Sequence, residues 1–376
     1  MTQSEYRMFA EQSIVNRGNR SRIQGCMRRA LAGCPITIGF LGGSITQGSL
    51  SSSSETCYAY LVFEWWKKKF PASRMTYVNA GVGGTTSQFG VARVKQDLLA
   101  KNPDFSIVEF SVNDDPTDFF EETYEGLLRT ILKSSGTSVL ILHNVRYDTG
   151  VSAEKRHLKV GRAYGLPCVS MEPSLYRAVR EGFTTVPEIS PDGLHPNDLG
   201  HRLIADSVIY CLEEIYEHLS EPEPEPEPQA LPRPLTRNRY EQSIRLQSYN
   251  SEPKGSGFVK DLSPQKAVSK FFKNGWTSAQ QGASLTFSFE GTGIAVQYRK
   301  SVAHPAPVAL AVVDGDEEHA VRLDANFEEA WGDCLFLSTV AKNLLDGEHH
   351  LEVRLIEVPE HPAAEFYLVS VIVSKG

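Results

Sequence analysis

Long apolar runs are missing from this chain. None of its 376 residues lies in an unbroken hydrophobic stretch of the roughly twenty residues that a membrane-spanning helix requires. The N-terminal stretch MTQSEYRMFAEQSIVNRGNR is charged throughout and has no apolar core of the length a secretion signal needs. No membrane partner is expected, and the expected location is cytoplasmic. Basic clusters are missing too. Apart from Lys67, Lys68 and Lys69 there is no block of lysine and arginine, and the net charge is -8, which speaks against nucleic acid and anionic surfaces as partners. Cysteine is scarce and unpatterned: Cys26, Cys34, Cys57, Cys168, Cys211 and Cys334 form no CxxC pair and have no histidine at zinc-ligand spacing. They read as reduced, small core residues, and no metal or cofactor is called for.

What is present is a strong alternation. Strand-like runs at 36–41, 75–79, 105–110, 139–143 and 168–171 are separated by helical patterns near 58–69, 87–100, 121–133, 153–164 and 173–181. A last helix at 197–219 keeps Leu199, Leu203, Ile204, Val208, Leu212 and Ile215 on one stripe, so that one face is expected to be buried. This alternation predicts an α/β domain over 1–220 of flavodoxin-like, three-layer form, with a parallel sheet whose ligands bind beyond the carboxyl ends of the strands. EPEPEPEP then opens a spacer over 221–235, where alternating proline blocks both helix and ladder. From 236 to 376 the apolar period falls to two: Leu285, Phe287 and Phe289; Ile294, Val296 and Tyr298; Val308, Leu310 and Val312; Leu351, Val353 and Leu355; then Leu368 and, across a bulge, Val371 and Val373. Short alternating strands with turn signals between them predict an all-β, jelly-roll sandwich.

Chemistry-bearing residues cluster where the first domain's strands end. ITIGFLGGSITQG, residues 36–48, is a strand-like run that breaks on paired glycines and delivers Ser44. Read alone, it fits either a presented nucleophile or a strand-to-helix turn with a capping serine. NAGVGGTT, residues 79–86, follows the second strand with glycines that leave backbone N–H groups uncovered, as an oxyanion site requires. SVND, residues 111–114, ends the third strand and brings the Asn113 amide to the same edge, although asparagine there also forms turns. PDGLHPND, residues 191–198, sets Asp192 three residues before His195, so that one tight turn lets the carboxylate hold one imidazole nitrogen and aim the other outward.

In order and placement, GGSIT, the Gly of NAGVGG, the Asn of SVND and DGLH resemble the four blocks of the SGNH (GDSL-type) esterases, over roughly the first 220 residues. The resemblance implies Ser44 as nucleophile, His195 as general base and acid, Asp192 as its orienting partner, and an oxyanion hole of the Ser44 and Gly84 N–H groups with the Asn113 amide. Two positions depart from the pattern. Gly43 stands where the family often has aspartate, and Ser111 where the third block usually has glycine.

The stretch before the first strand, the GGSIT form of the first block and the trailing sandwich together resemble carbohydrate esterase family seventeen. Members of that family join an SGNH domain to a module similar to carbohydrate-binding family thirty-five. The resemblance implies a metal-independent carbohydrate O-acetyl esterase acting on acetylated oligosaccharide, chiefly at the 2-position of β-mannan. An acetylxylan esterase, a short-chain lipase and a thioesterase are the alternatives, and comparing acetyl with octanoyl esters separates the last two. Trp331, in the polar stretch NFEEAWGDC, and Trp276, at a strand entry, are the candidate stacking surfaces for sugar rings, with core packing the competing role for each. The sequence also leaves room for a homodimer.

Overall fold

Six runs of apolar residues become strands in the N-terminal half: β1 (Ile14–Asn16), β2 (Ile36–Gly42), β3 (Met75–Gly81), β4 (Phe105–Glu109), β5 (Ser138–His143) and β6 (Cys168–Ser170). The computed structural model describes residues 3–134, 136–221 and 231–375. It divides into two units, Met1–Asn238 and Arg239–Gly376. In the first unit the sheet order is β1-β6-β5-β4-β2-β3. β4 and β5 are buried along their whole length, which is why they read as continuous Val, Ile and Leu runs. All pairings are parallel except that of β1 with β6. The five expected strands are therefore joined by a sixth, antiparallel edge strand, too short to leave a periodic signal.

Among the described residues ten α-helices accompany these strands: α1 (Gln3–Gln12), α2 (Ser21–Leu31), α3 (Ser44–Gln47), α4 (Tyr58–Lys69), α5 (Ser87–Asp97), α6 (Asp118–Lys133), α7 (Glu154–Ala163), α8 (Arg177–Arg180), α9 (Val186–Ile189) and α10 (Asp198–Glu217). The helix expected over 173–181 is instead one wide turn at Glu172–Tyr176 followed by the short α8. α10 carries the expected stripe: Leu203, Ile204, Val208, Leu212 and Ile215 all enter the core, whereas Leu199 is exposed. Chain direction reverses across the sheet between β2, which leads to β3 on one side, and β4 on the other. That crevice is where a doubly wound sheet binds ligands.

The spacer expected over 221–235 falls mainly on 222–230, outside the described residues. Its last part corrects the expectation. Glu125 of α6 is fully buried, and its carboxylate accepts hydrogen bonds from Leu235 N (2.7 Å), Thr236 N (2.8 Å), the Thr236 hydroxyl and the Tyr164 hydroxyl (2.6 Å). Arg129 donates to Pro232 O at 2.8 Å. Residues 232–236 are thus a strap bound to α6 rather than free spacer.

The second unit consists of two antiparallel sheets. One contains β7 (Ile244–Leu246), β9 (Val259–Lys260), β10 (Trp276–Ser278), β12 (Gly293–Lys300), β15 (Cys334–Lys342) and β17 (Phe366–Ser374); the other contains β8 (Lys254–Ser256), β11 (Ser284–Glu290), β13 (Val308–Val313), β14 (Val321–Asp324) and β16 (Glu348–Glu357). Phe287, Leu351 and Val353 from one sheet share a core with Ile294, Val296, Leu368, Val371 and Val373 from the other, as a sandwich requires. The register of β12 against β17 shifts between Gln297 and Tyr298, which is the bulge that lets Leu368, Val371 and Val373 reach one face. β13 departs from expectation: Ala309 and Ala311 join the core, and Leu310 stays half-buried. β14 and β15 were not foreseen, because β15 buries only Leu335 and shows little alternation.

Candidate active site

β2 ends in Gly42 and Gly43 because nothing larger fits there. A Cβ on Gly42 would lie 2.2 Å from Thr46 Oγ1 and 2.5 Å from Glu109 O, and one on Gly43 would lie 2.1 Å from Asn113 Oδ1. The chain turns directly into the single-turn α3, which Ser44 opens with its side chain almost covered, 6 % exposed. The hydroxyl lies 2.8 Å from His195 Nε2. His195 Nδ1 lies 2.6 Å from Asp192 Oδ2, so the ring is held from one side and presented to serine from the other.

Asp192 fixes its own turn. Its Oδ1 accepts from His195 N (2.7 Å) and Leu194 N (2.9 Å), which makes the three-residue spacing structural as well as chemical. Partial burial works against its charge. Hydrogen bonds from the His195 ring and from the two N–H groups outweigh that effect and draw the carboxyl down to about 2. Asp192 is therefore an anionic acceptor for the imidazole throughout the neutral range. Gly193, with φ +76°, closes the turn against Asp148, and its carbonyl accepts from Tyr147 N at 2.7 Å. Asn197 caps α10 by accepting from Gly200 N at 3.1 Å.

The remaining predicted residues lie around this serine. Gly83 packs on Ser44, since its Cβ position is 3.6 Å from Ser44 Cβ, and its N–H donates to Gln47 Oε1 at 2.6 Å. Gly84 follows with φ +68°, open space where a Cβ would be, and no partner for its N–H among the described residues. The amide of Asn113 lies against Gly43, with Oδ1 buried and unpaired. Among the described residues the Gly84 N–H and the Asn113 amide are thus without partners, and the Ser44 N–H stands at the start of α3 beside the nucleophile, the donor set an oxyanion site requires.

Trp276 is a correction. Its ring is 1 % exposed and packs edge-on against Phe287 at 5.2 Å inside the sandwich core, so it offers no face to a sugar. Trp331 is 66 % exposed, backed edge-on by Phe327 at 5.0 Å.

Several supporting residues carry no motif that would have revealed them. Arg93 is buried and donates to Ala80 O (2.7 Å), Gly42 O (3.1 Å) and Asp97 (3.1 Å), which ties the ends of β2 and β3 together. His201 is also buried. Its Nδ1 accepts from Tyr58 N (3.3 Å) and its Nε2 donates to Ser49 O (3.2 Å), while burial pulls it down to about 4 and keeps it neutral. Asp198 anchors the serine-rich loop after α3 by accepting from Ser52 N and Thr56 Oγ1, both at 2.7 Å.

A parallel sheet with a Ser-His-Asp chain and unpaired donors at its carboxyl edge defines a serine carboxylic ester hydrolase. Residues 40–203 match the GDSL-like lipase/acylhydrolase family. Over 97 % of its length, and 98 % of the other's, the chain is 52 % identical in sequence to a two-domain esterase active on acetylated mannans, with a TM-score of 0.94. A structure of such an esterase co-crystallised with mannopentaose matches at the same identity and coverage, with a TM-score of 0.92. The thioesterase 1/protease 1/lysophospholipase L1 of Escherichia coli (strain K12) is 27 % identical over 192 residues, 48 % of this chain and 86 % of that protein. The chain thus carries a GDSL-like lipase/acylhydrolase domain, followed by a second, β-rich domain.

Proposed function

We propose that this enzyme removes O-acetyl groups from acetylated β-mannan oligosaccharides, chiefly at the 2-position. The unbroken chain from Asp192 through His195 to the Ser44 hydroxyl carries the reading of the reaction. The 52 % identity to an esterase active on acetylated mannans supports the choice of substrate. Ser44 Oγ attacks the acetyl carbonyl while His195 Nε2 takes its proton, and the Ser44 and Gly84 N–H groups with the Asn113 amide receive the charge on oxygen. His195 returns the proton to the departing sugar hydroxyl, and water releases acetate from the acetylated serine by the same steps in reverse. Metal plays no part in this scheme, in which the imidazole of His195 moves the proton and the three donors meet the charge on oxygen. Residues 239–376 are read as a carbohydrate-binding domain with Trp331 as its sugar platform. Among the described residues no helix is long and apolar enough to cross a membrane, and the proposed setting is cytoplasmic, on imported oligosaccharides.

Product analysis on acetylated mannan, xylan and chitin oligosaccharides, beside acetyl and octanoyl aryl esters, tests the substrate. Acetate release from mannan in preference to the others is expected. Preference for the octanoyl ester would replace the reading with a lipase or thioesterase. Ser44→Ala is expected to retain only the roughly 10³ to 10⁴-fold acceleration over water that binding and the oxyanion donors supply. Turnover at the wild-type rate by that variant would remove the mechanism.

A further inference from the structure

Asn113 is poorly held for a residue that must point at one oxygen. Neither atom of its amide has a hydrogen-bond partner among the described residues, and Oδ1 is buried. His195, by contrast, is fixed by Asp192, and Asp192 by its own turn. The aim of Asn113 therefore depends on the backbone between β4 and α6, which is held after Asn113 by Asp114, whose carboxylate accepts from Ser87 N (2.8 Å) and lies 3.1 Å from His157 Nε2, and before it by Ser111.

Ser111 is a fully buried junction. Its N–H donates to Glu109 Oε1 at 3.0 Å, and its hydroxyl lies 3.1 Å from the same oxygen and 2.8 Å from the Asn144 carbonyl. Its own carbonyl accepts from Ala153 N at 2.7 Å. The loop that starts at Asn144 also carries Tyr147, whose N–H holds the Gly193 carbonyl in the middle of the Asp192–His195 turn. Ser111 thus joins the Asn113 arm to the framework behind the histidine. A glycine, usual here in the family this chain resembles, would supply no hydroxyl.

Glu109 is fully buried with no basic group beside it. The groups that bear on its carboxyl are Ser111, Asp114 and the Asn144 amide, with the phenols of Tyr58, Tyr124 and Tyr147 around it. Burying a carboxyl without a cation is unfavourable, and the contacts that offset it here are those to Ser111. We propose that Ser111, backed by Glu109, is a positioning residue of the esterase reaction that holds the Asn113 amide at the site of developing charge. The inference rests on the reading of Asn113 as an oxyanion donor.

A double-mutant cycle tests it. Ser111→Ala, Ser111→Gly, Asn113→Ala and Ser111→Ala/Asn113→Ala are compared on a small aryl acetate, each at a temperature where circular dichroism shows it folded. Ser111→Ala and Ser111→Gly are expected to lower kcat about tenfold with KM within about twofold, the pattern of lost transition-state alignment. In the Asn113→Ala background the same change is expected to cost less than about twofold, because the group being aimed is gone. Equal losses with and without Asn113, or no loss with Asn113 present, would overturn the positioning role while leaving the triad reading intact. Full activity of Asn113→Ala would remove the oxyanion reading and this inference with it.

Discussion

At the scale of single residues, the close approach of Asn113 to Gly43 joins two of the sequence blocks. A Cβ on Gly43 would sit 2.1 Å from Asn113 Oδ1, and the side chain that must yield is the short, unanchored amide rather than backbone. Gly43→Ala is therefore expected to fold and to lower kcat by roughly 10² to 10³, about as much as Asn113→Ala, with KM nearly unchanged. Steady-state kinetics of both variants check it. Glu109 makes a second test possible, because burial raises its carboxyl from the ordinary 4.5 to about 7. Below pH 4.5 both folded and unfolded chains hold the proton. Between 4.5 and 7 only the folded chain does, so stability falls across that window and levels off above it, by at most roughly 3 kcal/mol at about 1.4 kcal/mol per pH unit. Glu109→Gln removes this dependence. Its melting temperature relative to wild type is expected to rise from pH 5 to pH 8, and a constant offset between the two would contradict the assignment.

At the scale of elements, the loops that carry the site are braced by helices behind them. Arg93 on α5 binds the last carbonyls of β2 and β3, so Ser44 and Gly84 share one support. Arg93→Met fills a similar volume but leaves Asp97 and two carbonyls without their partner; it is expected to cost about 3 kcal/mol or more in denaturant unfolding and to lower kcat. Only its helix partner Asp97, four positions on, is local; the carbonyls that give Arg93 its role are 13 and 51 positions away and leave no mark in the sequence. Ser44, Asp192 and His195 were legible because glycine turns and a three-residue spacing are local signals that survive without the fold. The parallel strands β2, β4 and β5 were legible for a similar reason, as buried apolar runs. Three-residue β1 has too few side chains to show a period, and β15, half-exposed along most of its length, has too little contrast. Trp276 misled because a strand entry and a loop look alike in sequence, whereas the pairing of Trp276 with Leu368 and Lys260 puts it inside the sheet.

At the scale of the whole molecule, the chain forms two units with separate cores. If Trp331 stacks on sugar, Trp331→Ala is expected to lower kcat/KM on acetylated mannan oligosaccharides about tenfold and leave a small aryl acetate unaffected, since only the oligosaccharide has sugar rings to stack. Equal losses on both substrates would make Trp331 a support of the fold instead. The strap on α6 bears on how such a chain can be re-engineered. Glu221 follows α10, and Pro232, Leu235 and Thr236 are already bound to α6, so both flanks of the Glu-Pro tract belong to the first unit. The covalent passage from the first unit into the second therefore starts after Thr236 and does not depend on how many residues the Glu-Pro tract has. A fluorescent domain or affinity tag placed within 222–230 would leave the chain's passage into the second unit, at Asn238 and Arg239, with its original length.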